Sequence, residues 1–521
     1  MFRKLLLGFL CAVISVSLFL ITGCGQNDTE SSQNKKEQVL TIGEMWAIDN
    51  IDPAADGTLL KEKALIVETL VECKPNFELK PGLAISWENV DGTTWKIKLR
   101  KGVRFHDGSL MTAEAVKWSL ERALSINPKN QSFTKIKSIE AADDYTLIIK
   151  TVEPNADLPA SLHYSNTAII SPNSVDQKGN LVKPIGTGPF KLKQWDPGTG
   201  ELEAVKNENY WGGAPKLDRI VIRPLPDPNT RALAVEKGEI DFTCDPPYNE
   251  LDRLSSMDDL NVEFHQTARN YILEMNLKRA PFSDLKVRKA ISYAIDREAI
   301  VKHVLFGCGA PAKGPFMPGM AWTNENLKGY PYDPEKAKQI LADAGWKDTN
   351  GDGVIDKDGK PFKVTLMTYS QRPGLPPMAQ SLQAQLKKVG IDVKIEVMEW
   401  GAISERVKKG AWDMKLGASA TAMIPTPSYY LQVLYYSKNN PDTGYHNAKV
   451  DQLIEACMSS YDKQEKYELS KQVQEIVEDE LPVITIAHYG VAVVMKDKVK
   501  GYEFNPTAHD YMLTTEVFVE E

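Results

Sequence analysis

Residues 183–242 read KPIGTGPFKLKQWDPGTGELEAVKNENYWGGAPKLDRIVIRPLPDPNTRALAVEKGEIDF, and this stretch decides the fold class. Gly186-Thr187-Gly188-Pro189 is turn chemistry that feeds a strand beginning Phe190-Lys191-Leu192. Asp196-Pro197-Gly198 marks a hairpin, and Asn209, Tyr210, Trp211 and Gly212-Gly213 form a polar loop after the returning strand. Ile220-Val221-Ile222 is a third strand. Asp227 then stands at a helix cap position with Pro228 at the first helical residue. A short strand ends at Phe242. Strand, turn, strand, loop, strand, helix, strand is an α/β order.

The rest of the composition narrows the function classes. A chain of 521 residues exceeds what one apolar core supports, so at least two lobes are expected. Net charge of −8 leaves no basic excess for a nucleic-acid partner. The motifs GxxxxGK[ST], HExxH and GxSxG are missing, which removes the common NTPase and hydrolase signatures. At the N-terminus Arg3-Lys4 precede an apolar run over 5–21, followed by Ile21-Thr22-Gly23-Cys24. This looks like a lipoprotein signal peptide over 1–23, with Cys24 the lipidated residue and 24–38 a flexible polar tether. The expected place is the outer face of the cytoplasmic membrane, at the cell surface or in the periplasm. Cys73, Cys244, Cys308 and Cys457 are far apart, and their spacing supports no pairing.

Along the chain, a first strand over 39–43 ends beside Trp46, which either lines a cleft or packs under the following loop. A helix is expected over 59–70, burying Leu65, Val67 and Leu70. His106 in its Asp-Gly turn reads as structural. Residues 348–353 fit the first half of an EF-hand calcium loop, yet Gly359 stands where the twelfth-position Glu belongs, and a hairpin suits the same residues. Residues 364–397 form a β-α-β unit with parallel strands and a right-handed crossover. Tyr369 ends its first strand and Arg372 sits on the loop before the helix. Ligands in open α/β sheets bind beyond such strand ends, and helix N-termini favour anions there. Arg372 therefore either grips a carboxylate or snorkels over Tyr369.

Three ordered segments of the opening stretch, GTGPF (186–190), VKNENYWGG (205–213) and LPDPNTRALAVEKGEIDF (225–242), resemble the bacterial solute-binding proteins of family 5. GLAISWENVDGTTWKIKLRKGVRFHDG (82–108) and TAEAVKWSLERAL (112–124) are a second match. These are the peptide- and nickel-binding receptors of ABC importers. The resemblance implies a type II periplasmic-binding-protein-like α/β fold of two lobes. Lobe I takes 39–270 plus 488–521 with an extra small subdomain at about 56–183, and lobe II takes 271–487. It implies a monomeric, non-enzymatic receptor without cofactor that closes on a peptide or nickel chelate and hands it to membrane permease subunits. Ligand-facing candidates are Trp46, Tyr271, Tyr369, Arg372 and Thr421. His488, at the end of a crossing strand, is either a metal ligand to a nickel chelate or a buried hydrogen-bonded hinge residue. The resemblance also implies that dipeptide receptors of the family hold the ligand's amine with an Asp in a segment corresponding here to 418–428, which contains no acid. Rival classes are a signalling or chaperone-like surface lipoprotein and a surface hydrolase.

Overall fold

In the computed structural model, which describes residues 36–520, the opening stretch forms the outer strands of a large mixed sheet. The signal segment and Cys24 lie outside the described residues. Ten strands carry the main path: β1 Val39–Glu44, β2 Phe190–Trp195, β3 Leu202–Lys206, β4 Arg219–Pro224, β5 Phe242–Cys244, β6 Leu260–Met275, β7 Lys363–Thr368, β8 Asp392–Val397, β9 Met414–Ala420 and β10 Val483–Lys496. Their order across the sheet is β8-β7-β9-β6-β10-β5-β1-β4-β3-β2, and Gly309–Pro311 adds to β10 off this path. β1 runs parallel to β4 and β5, as the β-α-β connection through helix α1 (Pro228–Lys237) requires. Asp227 caps α1 by accepting from the Thr230 N–H, and Gly238 closes it in the left-handed region at φ 73°. The later β-α-β unit, β7, helix α2 (Leu375–Lys387) and β8, also has parallel strands.

Two strands span both halves of this sheet. β6 and β10 pair antiparallel from Leu260↔Lys496 to Glu274↔Val483, with register shifts between Gln266 and Asn270 and between Tyr271 and Ile272. Beyond the shifts β6 pairs with β9, and β10 pairs with β5 at its other end. β10 is buried almost throughout, which explains its continuous apolar sequence where an alternating one would mark a wet face. The boundaries 270/271 and 487/488 fall inside these two strands.

A separate apolar core lies between Leu70 and Ile169. It packs the helix Ala113–Ile126 on a four-stranded sheet of Ala84–Asn89, Thr94–Leu99, Thr146–Thr151 and Ile136–Asp143. The helix expected over 59–70 is not there. Only Leu59–Lys63 turns, as a single wide π-type turn, and Leu65 breaks it at φ +52°. The tertiary reason is the Gly-Thr-Gly-Pro turn, whose Gly188 N–H and Phe190 N–H donate to the carbonyls of Ile66 and Leu65 at 3.1 and 3.2 Å. A Cβ at Gly186 would stand 2.1 Å from the Ile66 carbonyl oxygen, so only glycine allows this approach.

The other ambiguous stretches resolve locally. Residues 348–353 lead into a small hairpin, Asp356–Lys357 with Lys360–Pro361. Both Asp348 oxygens accept backbone N–H groups, from Gly351 at 2.7 Å and Gly353 at 2.9 Å. The four described cysteines are free and buried.

Candidate functional site

A cleft of about 510 Å³ opens where the C-terminal ends of β1 and β7 approach the start of the β6 crossing. β1 delivers Glu44 and Trp46, the wide turn delivers Lys63, and β6 delivers Arg269. The loop from β7 to α2 brings Tyr369 and Arg372, and the loop after β10 brings His509. Trp46, Tyr369 and Trp400 form an aromatic wall, with centroids 6.5 Å apart for the first pair and 5.3 Å for the second. The Arg372 guanidinium lies over Trp46 at 5.4 Å and over Tyr489 at 5.1 Å.

Beneath this surface, charge converges on one carboxylate. Asp510 accepts from Arg372 Nη2 at 2.9 Å, from His509 Nδ1 at 3.0 Å and from Trp46 Nε1 at 3.3 Å. Lys63 and Arg269 each stand 3.6 Å from it. Lys63 also binds Glu44 at 2.7 Å, and Tyr511 donates to Glu44 at 3.1 Å. Arg372 Nη1 donates to the Tyr489 hydroxyl at 3.1 Å, and that hydroxyl donates in turn to Asp245. Burial works against charge on Asp510, but Arg372, His509 and Lys63 outweigh it and hold the carboxyl well below the usual range. Burial raises Asp245 above its ordinary value and lowers His509, whose partner Asp510 opposes that shift. Burial also pushes Glu62, which accepts the His509 backbone N–H at 2.8 Å, up to about 7.

The sequence-predicted residues divide by depth and by strand face. Trp46, Tyr369 and Arg372 line the cleft. Arg372 is only 1 % exposed, and its terminal nitrogens already hold Asp510 and Tyr489, so it is not a free carboxylate anchor. Tyr271 is fully buried in a layer below, with its hydroxyl 3.1 Å from that of Tyr248 and its ring 4.7 Å from Tyr489. The Arg372–Gly374 loop covers it: a Cβ on Gly374 would sit 2.8 Å from the Tyr271 hydroxyl. Thr421 is buried between the cleft-lining Ala418 and Met423, and its hydroxyl has no hydrogen-bond partner among the described residues.

His488 departs from the site altogether. It lines a different cavity of about 140 Å³ beside Asn324 and Gln474, and its Nδ1 is 2.8 Å from Asn270 Oδ1. Alternation along β10 is the reason: Tyr489 faces Arg372, so its neighbour faces the other way. Burial lowers the His488 pKa to about 4. The structure thus places His488 in a buried hydrogen bond to Asn270 and not at the cleft.

Sequence reasoning passed over Lys63, Arg269, His509 and Asp510 as site residues. The His509-Asp510 pair sits in an irregular loop after the last long strand, with no periodicity to mark it. Among the described residues no group of three His, Cys, Asp or Glu side chains is arranged to hold a metal ion. The cleft thus offers a cationic floor, an aromatic wall and one imidazole edge. Such a surface suits a small anionic or metal-bearing solute.

Residues 78–442 match the family model described as bacterial extracellular solute-binding proteins, family 5 Middle. The oligopeptide-binding protein AppA of Bacillus subtilis is 30% identical over 537 aligned positions, covering 97% of each chain. Among solved structures, NikA from Staphylococcus aureus in complex with Ni(L-His)2 has a TM-score of 0.82 at 26% identity, covering 93% of this chain and 100% of that one. DppA from Helicobacter pylori in complex with the peptide STSA has a TM-score of 0.80 at 30% identity, covering 93% and 98%. By name or title these relatives bind an oligopeptide, a nickel–histidine complex and a short peptide.

Proposed function

The chain belongs to the bacterial extracellular solute-binding proteins of family 5 and is a solute-binding protein of an ABC importer, and on that premise we propose that its cargo is a small carboxylate chelate of a divalent metal, of the nickel–histidine kind. The observation that carries this reading is His509. Its Nδ1 faces Asp510 at 3.0 Å, which leaves Nε2 as the edge turned to the cleft it lines. A carboxylate behind an imidazole is the arrangement that fixes a metal-ligating tautomer. One imidazole cannot hold a bare ion, so the remaining ligands come from the chelator. Its carboxylates are drawn by the summed positive charge of Arg372, Arg269 and Lys63 around the cleft, with Arg372 held by Asp510 and Tyr489 and not serving as a direct anchor. Calorimetry with nickel alone, nickel with L-histidine, free L-histidine and short peptides tests this. Nickel with L-histidine is expected to bind, and His509→Ala to weaken it by about tenfold to a hundredfold. Binding of peptides in preference to the chelate, or indifference to His509→Ala, overturns the reading and makes the cargo a short peptide.

The surrounding organisation is proposed on the same premise. Lobe I comprises 39–270 and 488–521 with the small subdomain at about 56–183, and lobe II comprises 271–487. The cargo favours the closed arrangement of the lobes by its extra contacts there. The protein acts without catalysis, as a monomer, anchored through Cys24 at the outer face of the cytoplasmic membrane, where it meets the permease. No helix among the described residues is long and apolar enough to cross a membrane. Cys24→Ser should leave the protein uncleaved and without the diacyl increment, shifting both its mass and its release from membranes. Unchanged mass and retention would falsify the lipid anchor.

A further inference from the structure

Asp510 does two things at once that a plain structural carboxylate need not do. It accepts from Arg372 Nη2 at 2.9 Å, so that edge of the guanidinium is not free for an incoming carboxylate. It also accepts from His509 Nδ1 at 3.0 Å, turning the opposite ring nitrogen to the cleft. Trp46 Nε1, which donates to the same carboxylate at 3.3 Å, ties this hub to the aromatic wall. The residue is 2 % exposed, so its carboxylate is largely shielded from water.

We propose that Asp510 is a specificity-determining residue that makes the cleft prefer a metal chelate over a metal-free carboxylate. This rests on the cargo reading above. An incoming carboxylate without a metal must displace Asp510 from Arg372 or stand beside it, and two desolvated like charges repel. A chelate carries its own cation. The metal takes the Nε2 lone pair that Asp510 has oriented, and its charge offsets the repulsion between the chelator's carboxylates and Asp510. Lys63, Arg269 and Arg372 face Asp510 from three separate parts of the chain, with Glu44 across Lys63 and Asp245 behind Arg372. The floor therefore still attracts an anion that brings a cation with it.

Asp510→Asn in the full mature chain separates the two effects, because it keeps shape and removes charge. Measured by calorimetry, nickel–histidine affinity should fall about tenfold or more as the imidazole loses its carboxylate. Free L-histidine and succinate should bind about tenfold tighter as the like charge disappears. General damage to the cleft weakens both, and that result overturns the proposal, as does an unchanged ratio. A second measurement needs no Asp510 variant. In the cargo-free wild type, the imidazole nitrogen-15 resonances lost in His509→Gln must show Nδ1 protonated and Nε2 bare. The opposite tautomer overturns the assignment. If wild type fails to bind nickel–histidine, the cargo reading falls. The gain of metal-free carboxylates in Asp510→Asn and the wild-type tautomer still decide the role of Asp510.

Discussion

Glu62 supports the site from behind, and its chemistry gives a pH test. Its carboxylate accepts the His509 backbone N–H at 2.8 Å, and burial raises its pKa to about 7. The folded state then keeps a proton that the unfolded chain has lost between its ordinary value of 4.5 and 7. Stability from this residue is full below 4.5, falls as pH rises through that window, and stays reduced above it. Histidines whose charge burial disfavours oppose the trend. Burial lowers His106 and His488 to about 4 and His163 to about 3, so acidification below 6.5 favours the unfolded chain at each. Comparing Glu62→Gln with wild type isolates the carboxyl from them. The variant should be more stable at pH 8, by on the order of 3 kcal/mol at most, and closely matched at pH 5. Urea midpoints across pH 5–8 check this, and a constant offset at every pH would contradict it.

Among the elements, those governed by near neighbours were legible. The cap Asp227, for example, accepts the Thr230 N–H in the first turn of α1. The parallel pair β7 and β8 followed from one helix-period run between two apolar strands. The misread element was 59–70, expected as a helix burying Leu65, Val67 and Leu70, whereas the chain is extended after Leu65. Backbone bonds from Gly188 and Phe190, more than a hundred residues away, hold it so. The crossing strands were half legible. The family resemblance implied boundaries at 270/271 and 487/488, but which neighbour of the His488-Tyr489 pair faces the cleft depended on register with β6 and its shifts. Gly490 adds a constraint no pattern showed: a Cβ there would stand 2.5 Å from the Gly309 backbone nitrogen.

At the scale of the molecule, the small subdomain touches the later chain through a buried polar knot. Asp157 accepts from Thr426 Oγ1 at 2.8 Å and is bound by Ser428 and by Lys466. Beside it the Ala156 N–H donates to the Met458 carbonyl at 2.9 Å, and Tyr461 meets Asn89 at 3.1 Å. If 56–183 and 271–487 belong to different lobes, these bonds hold the cleft shut. Asp157→Ala leaves Lys466 with its buried partner gone, a change that costs about 2–5 kcal/mol in comparable pairs. Cargo should then leave at least about tenfold faster, and scattering of the cargo-free protein should show a larger radius. An unchanged off-rate would remove the knot from the closing mechanism.

The sequence by itself determined the α/β order, the family, the capped helices and the placing of Tyr369 and Arg372 at a strand end. Each of these depends on residues within a turn or two of one another, or on motifs read in order. Only the tertiary structure decided what Arg372 binds and which histidine faces the cleft. Asp510 is 138 positions from Arg372 and 464 from Trp46. Such pairs leave no local pattern, because strand order and register bring them together and burial makes their charges interact strongly.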